Sequence, residues 1–272
     1  MKKAFCVLGL IALLGSSLFA QQDMGARPLG LGRAFVAVAD DGNAPCWNPA
    51  GMSLYSERVL SGMFSRLYMG ITGDALGEGY LTYVYPTSNY GSFGLSFEQF
   101  FSNLWMESEL GLSYSYLFPR TFFNRKLSIG GSFRVLRNEV VKGNIEYTPQ
   151  LGDDVNGIGN PLDDDYFKRN GWDKWGFTAN LGLHYSISPE LDLGLMVSNI
   201  NEPNMTLGNV TGEKLPLTVN LGASYLFRKS FNYTFELAYI NRDINGKKKV
   251  DPRFGVEWWF MNNLWALRSG VN

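Results

Sequence analysis

From about Glu57 onward, apolar and polar residues alternate with a period of two, which predicts one strand after another. Between 175 and 187, Trp175, Phe177, Ala179, Leu181, Leu183, Tyr185 and Ile187 share one face. Gly176, Thr178, Asn180, Gly182, His184 and Ser186 occupy the other. The stretches 127–135, 217–227 and 231–239 repeat the arrangement. In all, about eleven strands are predicted, near 57–69, 77–86, 89–100, 108–118, 125–138, 173–187, 190–200, 216–228, 231–241, 251–260 and 263–271. Their polar faces are small and uncharged near the strand centres, with charges such as Arg134 and Glu236 entering singly. That pattern suits a lumen filled by water and a plug. Aromatic residues gather toward strand ends (Tyr114, Tyr116, Phe118, Trp258, Phe260), where a bilayer interface would place its girdles.

The connections alternate in length. Tight turns are expected at 87–89, 188–190, 228–230 and 261–263, with a somewhat longer one at 119–124; longer links fall at 70–76, 101–107, 139–172, 201–215 and 242–250. Short turns on one rim and long loops on the other are the pattern of bacterial outer-membrane barrels, the short side facing the periplasm. A soluble sandwich shares the strand alternation but has no reason to alternate its loops. The expected fold is therefore all-β, an antiparallel transmembrane β-barrel with a small N-terminal plug. An odd strand count conflicts with the even numbers of bacterial single-chain barrels, and an open wall would leave unpaired backbone groups in lipid. Either a strand is miscounted or the closing strands are missing. Truncation is the favoured expectation, since no terminal aromatic ends the last strand.

The start of the chain decides the compartment. Met1-Lys2-Lys3, the apolar run Ala4 to Leu14 and Gly15 to Ala20 read as a secretory signal peptide cleaved after Ala20. The run is too short for a stable membrane helix, and no later run approaches the roughly 20 residues one needs. Cys6 lies too early for a lipoprotein cleavage site, so no lipid anchor is expected. Three segments follow: signal peptide 1–20, plug 21–56 and barrel 57–272, exported to the outer membrane of a Gram-negative-type bacterium. After cleavage only Cys46 remains, which excludes a disulfide-stapled fold. A net charge of −1 gives no electrostatic case for nucleic acid.

Residues 21–56 do not alternate. Gly25 to Arg33 is glycine-rich, Ala34 to Ala39 is compact and apolar, and Asp40-Asp41-Gly42-Asn43 breaks the chain. Asn48 can cap a helix and Pro49 suits its first position. The strings Gly30-Leu31-Gly32-Arg33-Ala34-Phe35-Val36-Ala37-Val38-Ala39-Asp40-Asp41 and Trp47-Asn48-Pro49-Ala50-Gly51-Met52 resemble the N-terminal hatch of the FadL family of outer-membrane transporters. The wider superfamily includes the PorV-type barrels of a protein secretion system. The resemblance covers about residues 25–56; beyond it only strand architecture is similar. It implies fourteen strands (so about eleven present of a likely 14), a hatch in the lumen, an apolar ligand pocket beside it and exit through the wall. It also implies a hatch or gate role for Gly30, Gly32, Asn48, Pro49 and Ala50.

Phe35, Trp47 and Met52 are the candidate ligand-facing residues, against the plainer reading that they pack the plug on itself. His184, the only histidine, points inward with no nucleophile motif around it, so no catalytic residue is expected. A neutral hydrogen-bonding role in the lumen suits it better. Asp153-Asp154 and Asp163-Asp164-Asp165 fit no EF-hand spacing and read as a solvated loop, as does Lys247-Lys248-Lys249. Cys46 reads as a small buried residue of the plug. No metal or cofactor is expected. The leading functional expectation is uptake of hydrophobic molecules such as long-chain fatty acids. A PorV-like role beside secretion-system components and a barrel hydrolase are the alternatives. Outer-membrane lipid and the barrel-assembly machinery are the remaining expected partners.

Overall fold

The computed structural model describes residues 24–67, 76–121, 125–141, 171–207, 214–243 and 246–272. The expected signal peptide and the acidic groups at 153–154 and 163–165 lie outside the described residues.

The described residues form eleven antiparallel strands in a single sheet whose spatial order follows the sequence. They are β1 (Val59–Arg66), β2 (Gly77–Thr87), β3 (Gly91–Phe101), β4 (Trp105–Thr121), β5 (Arg125–Val140), β6 (Asp173–Ser186), β7 (Leu191–Ser198), β8 (Thr218–Phe227), β9 (Phe231–Ile240), β10 (Lys249–Phe260) and β11 (Trp265–Val271). All eleven expected segments are present. Among the described residues β1 and β11 are the two edges and do not pair with each other.

One link departs from the expectation. Residues 101–107 do not form a long loop, because β3 runs to Phe101 and β4 starts at Trp105. Ser102 closes this turn: its N–H donates to the Trp105 carbonyl at 2.7 Å, and its Oγ accepts from the Trp105 N–H at 2.9 Å. The local hydroxyl substitutes for loop length, so the long-loop rim carries one tight turn.

The sheet is inside-out by the standard of a soluble protein. On β3, Phe93, Leu95 and Phe97 are 48, 45 and 42% exposed, whereas Ser92, Ser96 and Glu98 between them are buried. Leu81, Leu112, Phe133, Phe177, Leu221 and Phe254 continue the outward apolar face around the sheet. Apolar patches of this extent are stable against hydrocarbon and not against water. No described helix is long and apolar enough to cross a membrane; the outward apolar face of the strands is what a strand-built membrane wall presents.

The polar face is buried because residues 24–55 lie against it. That segment is a helical turn Ala26–Gly30, a second turn Ala44–Trp47 and a 3-10 helix Pro49–Leu54, joined by irregular chain. Its own core is Leu31, Phe35, Val38, Ala39, Ala44 and Met52, with Trp47 and Tyr55 packed at the margin. At β7 the contact is so close that a Cβ on Gly194 would collide with the Val36 and Ala37 backbone. At β11, Gly32 (φ 59°) lies against the backbone of Gly270 and Val271, a conformation and an approach that only glycine tolerates cheaply. Gly42 meets Ser61 and Val59 of β1 at the other edge. A single short segment thus touches both edge strands and the wall between them, so the sheet is curled around it.

Candidate functional site

The segment is held in the lumen by hydrogen bonds from β2, β5, β6, β9 and β10. Asn48 does what its place before Pro49 predicts: its Oδ1 accepts from the Ala50 N–H at 3.1 Å, capping the 3-10 helix. Its amide then goes further than a cap. Nδ2 donates to the Val36 carbonyl at 2.8 Å and to the Leu183 carbonyl of β6 at 3.0 Å. One fully buried side chain therefore ties the end of the segment, its middle and the wall together. Ala50 is fixed from β5, where Ser128 Oγ donates to its carbonyl at 2.6 Å. Gly42 is fixed from β2, where Thr82 Oγ1 donates to its carbonyl at 2.6 Å.

Charges on the inner wall do not enter singly, as their scatter along the sequence suggests. Strand register brings them into pairs. Glu236 of β9 and Arg253 of β10 are direct cross-strand partners and form a 2.9 Å ion pair, the two side chains 0 and 1% exposed. The second Glu236 oxygen accepts from the N–H groups of Phe35 and Val36 at 3.0 and 2.9 Å. Asn220 of β8 donates to the first at 3.0 Å. This carboxylate is the most complete anchor of the segment, since buried charge is tolerated only where every lone pair finds a donor.

A second cluster joins the first helical turn to β10 and β11. Arg27 donates through Nε and Nη2 to both oxygens of Glu257 at 2.9 Å each, and through Nη1 to Asp40 and Asp41. Arg268 of β11 adds a donor to Glu257. Burial works against the Arg27 charge, but the carboxylates of Asp40, Glu257 and Asp41 outweigh it and raise the guanidinium pKa above its ordinary value. A third cluster joins Arg134 of β5 to Glu109 of β4 and to the carbonyls of Cys46 and Pro45. Glu98 of β3 stands directly opposite Glu109 in register. Burial, and then the Glu98 carboxylate, push the half-buried Cys46 thiol well up.

The expected site residues come together, although not all in the same way. Asn48, Pro49 and Ala50 form the capped turn against β5 and β6; Gly30 approaches Arg268, and Gly32 the β11 backbone. Phe35 and Met52 are fully buried in the segment's own core. Trp47 meets Phe35 edge-on at 5.9 Å, and its indole N–H donates to the Met24 carbonyl at 2.8 Å. His184 points inward from β6, its Nε2 at 3.0 Å from the Ala37 carbonyl. Glu236, Arg253, Glu257, Glu109 and Arg27 were missed by sequence reasoning. The signal of the four strand residues was available only as charges on inward parity positions, which become pairs once the register is known; Arg27 lies outside the alternating region and gave none.

Residues 105–246 match the model of the family described as F plasmid transfer operon, TraF, protein. This is a different family from the FadL family that residues 25–56 resemble. Among curated proteins no sequence matches. Solved structures similar to the chain include the CymD monoaromatic hydrocarbon channel, with a TM-score of 0.59 and 15% identity over 93% of this chain and 84% of that one. A deltaS2 mutant of the TodX monoaromatic hydrocarbon channel gives 0.54 and 14%, covering 93% and 76% of the two chains. The Pseudomonas putida toluene transporter TodX gives 0.54 and 12%, covering 94% and 84%. At these identities the likeness establishes a shared barrel fold.

Proposed function

The chain belongs to the family described as F plasmid transfer operon, TraF, protein, and from that premise and the barrel we propose that it is an outer-membrane channel for small hydrophobic molecules. The observation that carries the reading is the wall itself, apolar outside and polar inside, with residues 24–55 bound across the lumen by at least three buried ionic clusters. In this reading those residues are the hatch, and Gly30, Gly32, Asn48, Pro49 and Ala50 set its seat. A cargo crosses by partition rather than chemistry, gaining about 25 cal/mol per Å² of apolar surface it buries. Trp47, half-buried over Phe35, is the member of the trio Phe35, Trp47 and Met52 with surface left to meet a ligand. The similar channels carry monoaromatic hydrocarbons by their names, so compounds of that size are the first candidates and long-chain fatty acids the second.

The test is influx of labelled toluene and of labelled oleate into cells whose outer membrane carries the protein. Asn48→Ala with Pro49→Ala should change the influx of at least one compound severalfold while the protein still inserts. Equal influx with and without the protein would remove the channel reading and leave a role beside secretion components to be examined by co-purification.

A further inference from the structure

Below the segment, at the short-turn rim, lies a cavity of about 310 Å³ whose wall carries Lys126 of β5, His184 and Ser186 of β6 and Asp192 of β7, with Arg27 and Glu257 at its inner end. Its volume is on the order of ten waters and falls at the small end of ligand pockets, which run from roughly 300 to 1,000 Å³. Polar side chains outnumber the apolar ones in its lining, so it suits a polar occupant better than an apolar cargo.

The groups left open in this cavity define what fits it. Arg27 is engaged by Glu257, Asp40 and Asp41. His184 is 2% exposed, and its Nε2 faces a carbonyl, which can only accept; Nε2 therefore carries the ring proton. In the neutral ring Nδ1 is then a buried acceptor, and it has no partner among the described residues. Asp192 is a second open acceptor, and Lys126 an open cation; neither makes an ion pair or side-chain hydrogen bond among the described residues. Register fixes their spacing. Ser186 pairs with Lys126 on one side and with Asp192 on the other, so the two charges stand on strands roughly 10 Å apart across Ser186.

We propose that this cavity is a binding site for a small zwitterion, whose ammonium is taken by Asp192 and His184 Nδ1 and whose carboxylate or phosphate is taken by Lys126. The proposal stands whether or not an apolar cargo crosses. Its occupant lies directly against the Arg27–Glu257 contact that holds the first helical turn.

The test is isothermal titration of the full chain in detergent micelles with glycylglycine, N-acetylglycylglycine and glycylglycine amide. Glycylglycine should bind saturably at one site, and each analogue, lacking one charge, at least tenfold more weakly. Asp192→Asn and Lys126→Gln should each weaken glycylglycine at least tenfold. Both positions sit at the rim and are partly or fully exposed, so the barrel tolerates them. If a variant does not fold, the three ligands on the unaltered protein decide the matter alone. No saturable glycylglycine binding, equal binding of the analogues, or undiminished binding by a folded variant overturns the assignment.

Discussion

Two clusters hold the same segment in different ways. At Glu236–Arg253 the wall grips backbone: a carboxylate 0% exposed receives the Phe35 and Val36 N–H groups as well as a guanidinium that is itself 1% exposed. At Arg27–Glu257 the wall grips a side chain on the first helical turn, and the carboxylates it shares include Asp40, whose side chain is 50% exposed. The first anchor has no solvent alternative for any of its groups. The second borders the rim cavity and shares its partners: Arg268 and Trp259 also reach Glu257, and Asp40 is half exposed, so part of what is lost is replaced. The segment should therefore be fixed at residues 35–52 and releasable at residues 24–31.

Removing the inner anchor is the strongest way to break that contrast. Glu236→Ala leaves buried Arg253 with the longer 3.4 Å contact to Asp251 as its carboxylate partner, the Val36 N–H without its acceptor and the Phe35 N–H with the Arg33 carbonyl alone, at a cost of about 3–5 kcal/mol. Hydrogen exchange should show the Phe35 and Val36 amides losing most of their protection while the β3–β5 wall keeps its own. Retained protection at those amides would mean that the carboxylate is not what holds the segment.

Crowding the same region comes next. Gly194→Leu places a side chain where the Val36 and Ala37 backbone lies, at an expected cost of about 1–3 kcal/mol, or more if the segment cannot shift. Limited proteolysis should then cut within residues 33–43 while the barrel still migrates as a folded species. Substitution by alanine should give the same result more weakly.

At the outer anchor the expected effect is smaller. Arg27→Met leaves buried Glu257 with Arg268 and the Trp259 side chain as donors, so the loss falls below the about 3–5 kcal/mol of the inner anchor. The loss should appear as faster exchange at the amides of residues 29–34, with Phe35 and Val36 unchanged. Raising the salt concentration on the unaltered protein should move the same amides in the same direction. A global loss of protection would collapse the distinction between the two anchors.

What the sequence discloses follows the same division. Strand number, parity and the inward direction of His184 are readable because a period of two is local and a one-residue slip would turn the apolar face inward. The Asn48 cap is readable because it needs only residues 48–50. The anchors are not, since Glu236 and Arg253 are seventeen positions apart and become partners only through the β9–β10 register. Arg27 and Glu257 lie 230 positions apart. Phe35 and Met52 illustrate a different limit: an apolar side chain beside a lumen fits a ligand wall and a plug core equally well until its neighbours are known.

The thiol of Cys46 gives the mildest test and reports on the middle of the segment, where Arg134 Nη2 donates to the Cys46 carbonyl at 3.0 Å. Only the thiolate reacts with a maleimide, and burial, helped by Glu98, raises the thiol pKa above that of a free cysteine. A raised pKa means that at any pH below it the folded protein holds less thiolate than the unfolded chain. Alkylation of the folded protein should therefore lag that of the denatured protein, with the rise in rate displaced to higher pH. Glu236→Ala should bring the rate toward the denatured value only if the segment leaves as one unit. If residues 44–52 stay seated on β4–β6 while residues 35–36 come free, the rate will not change, and the inner anchor divides into two.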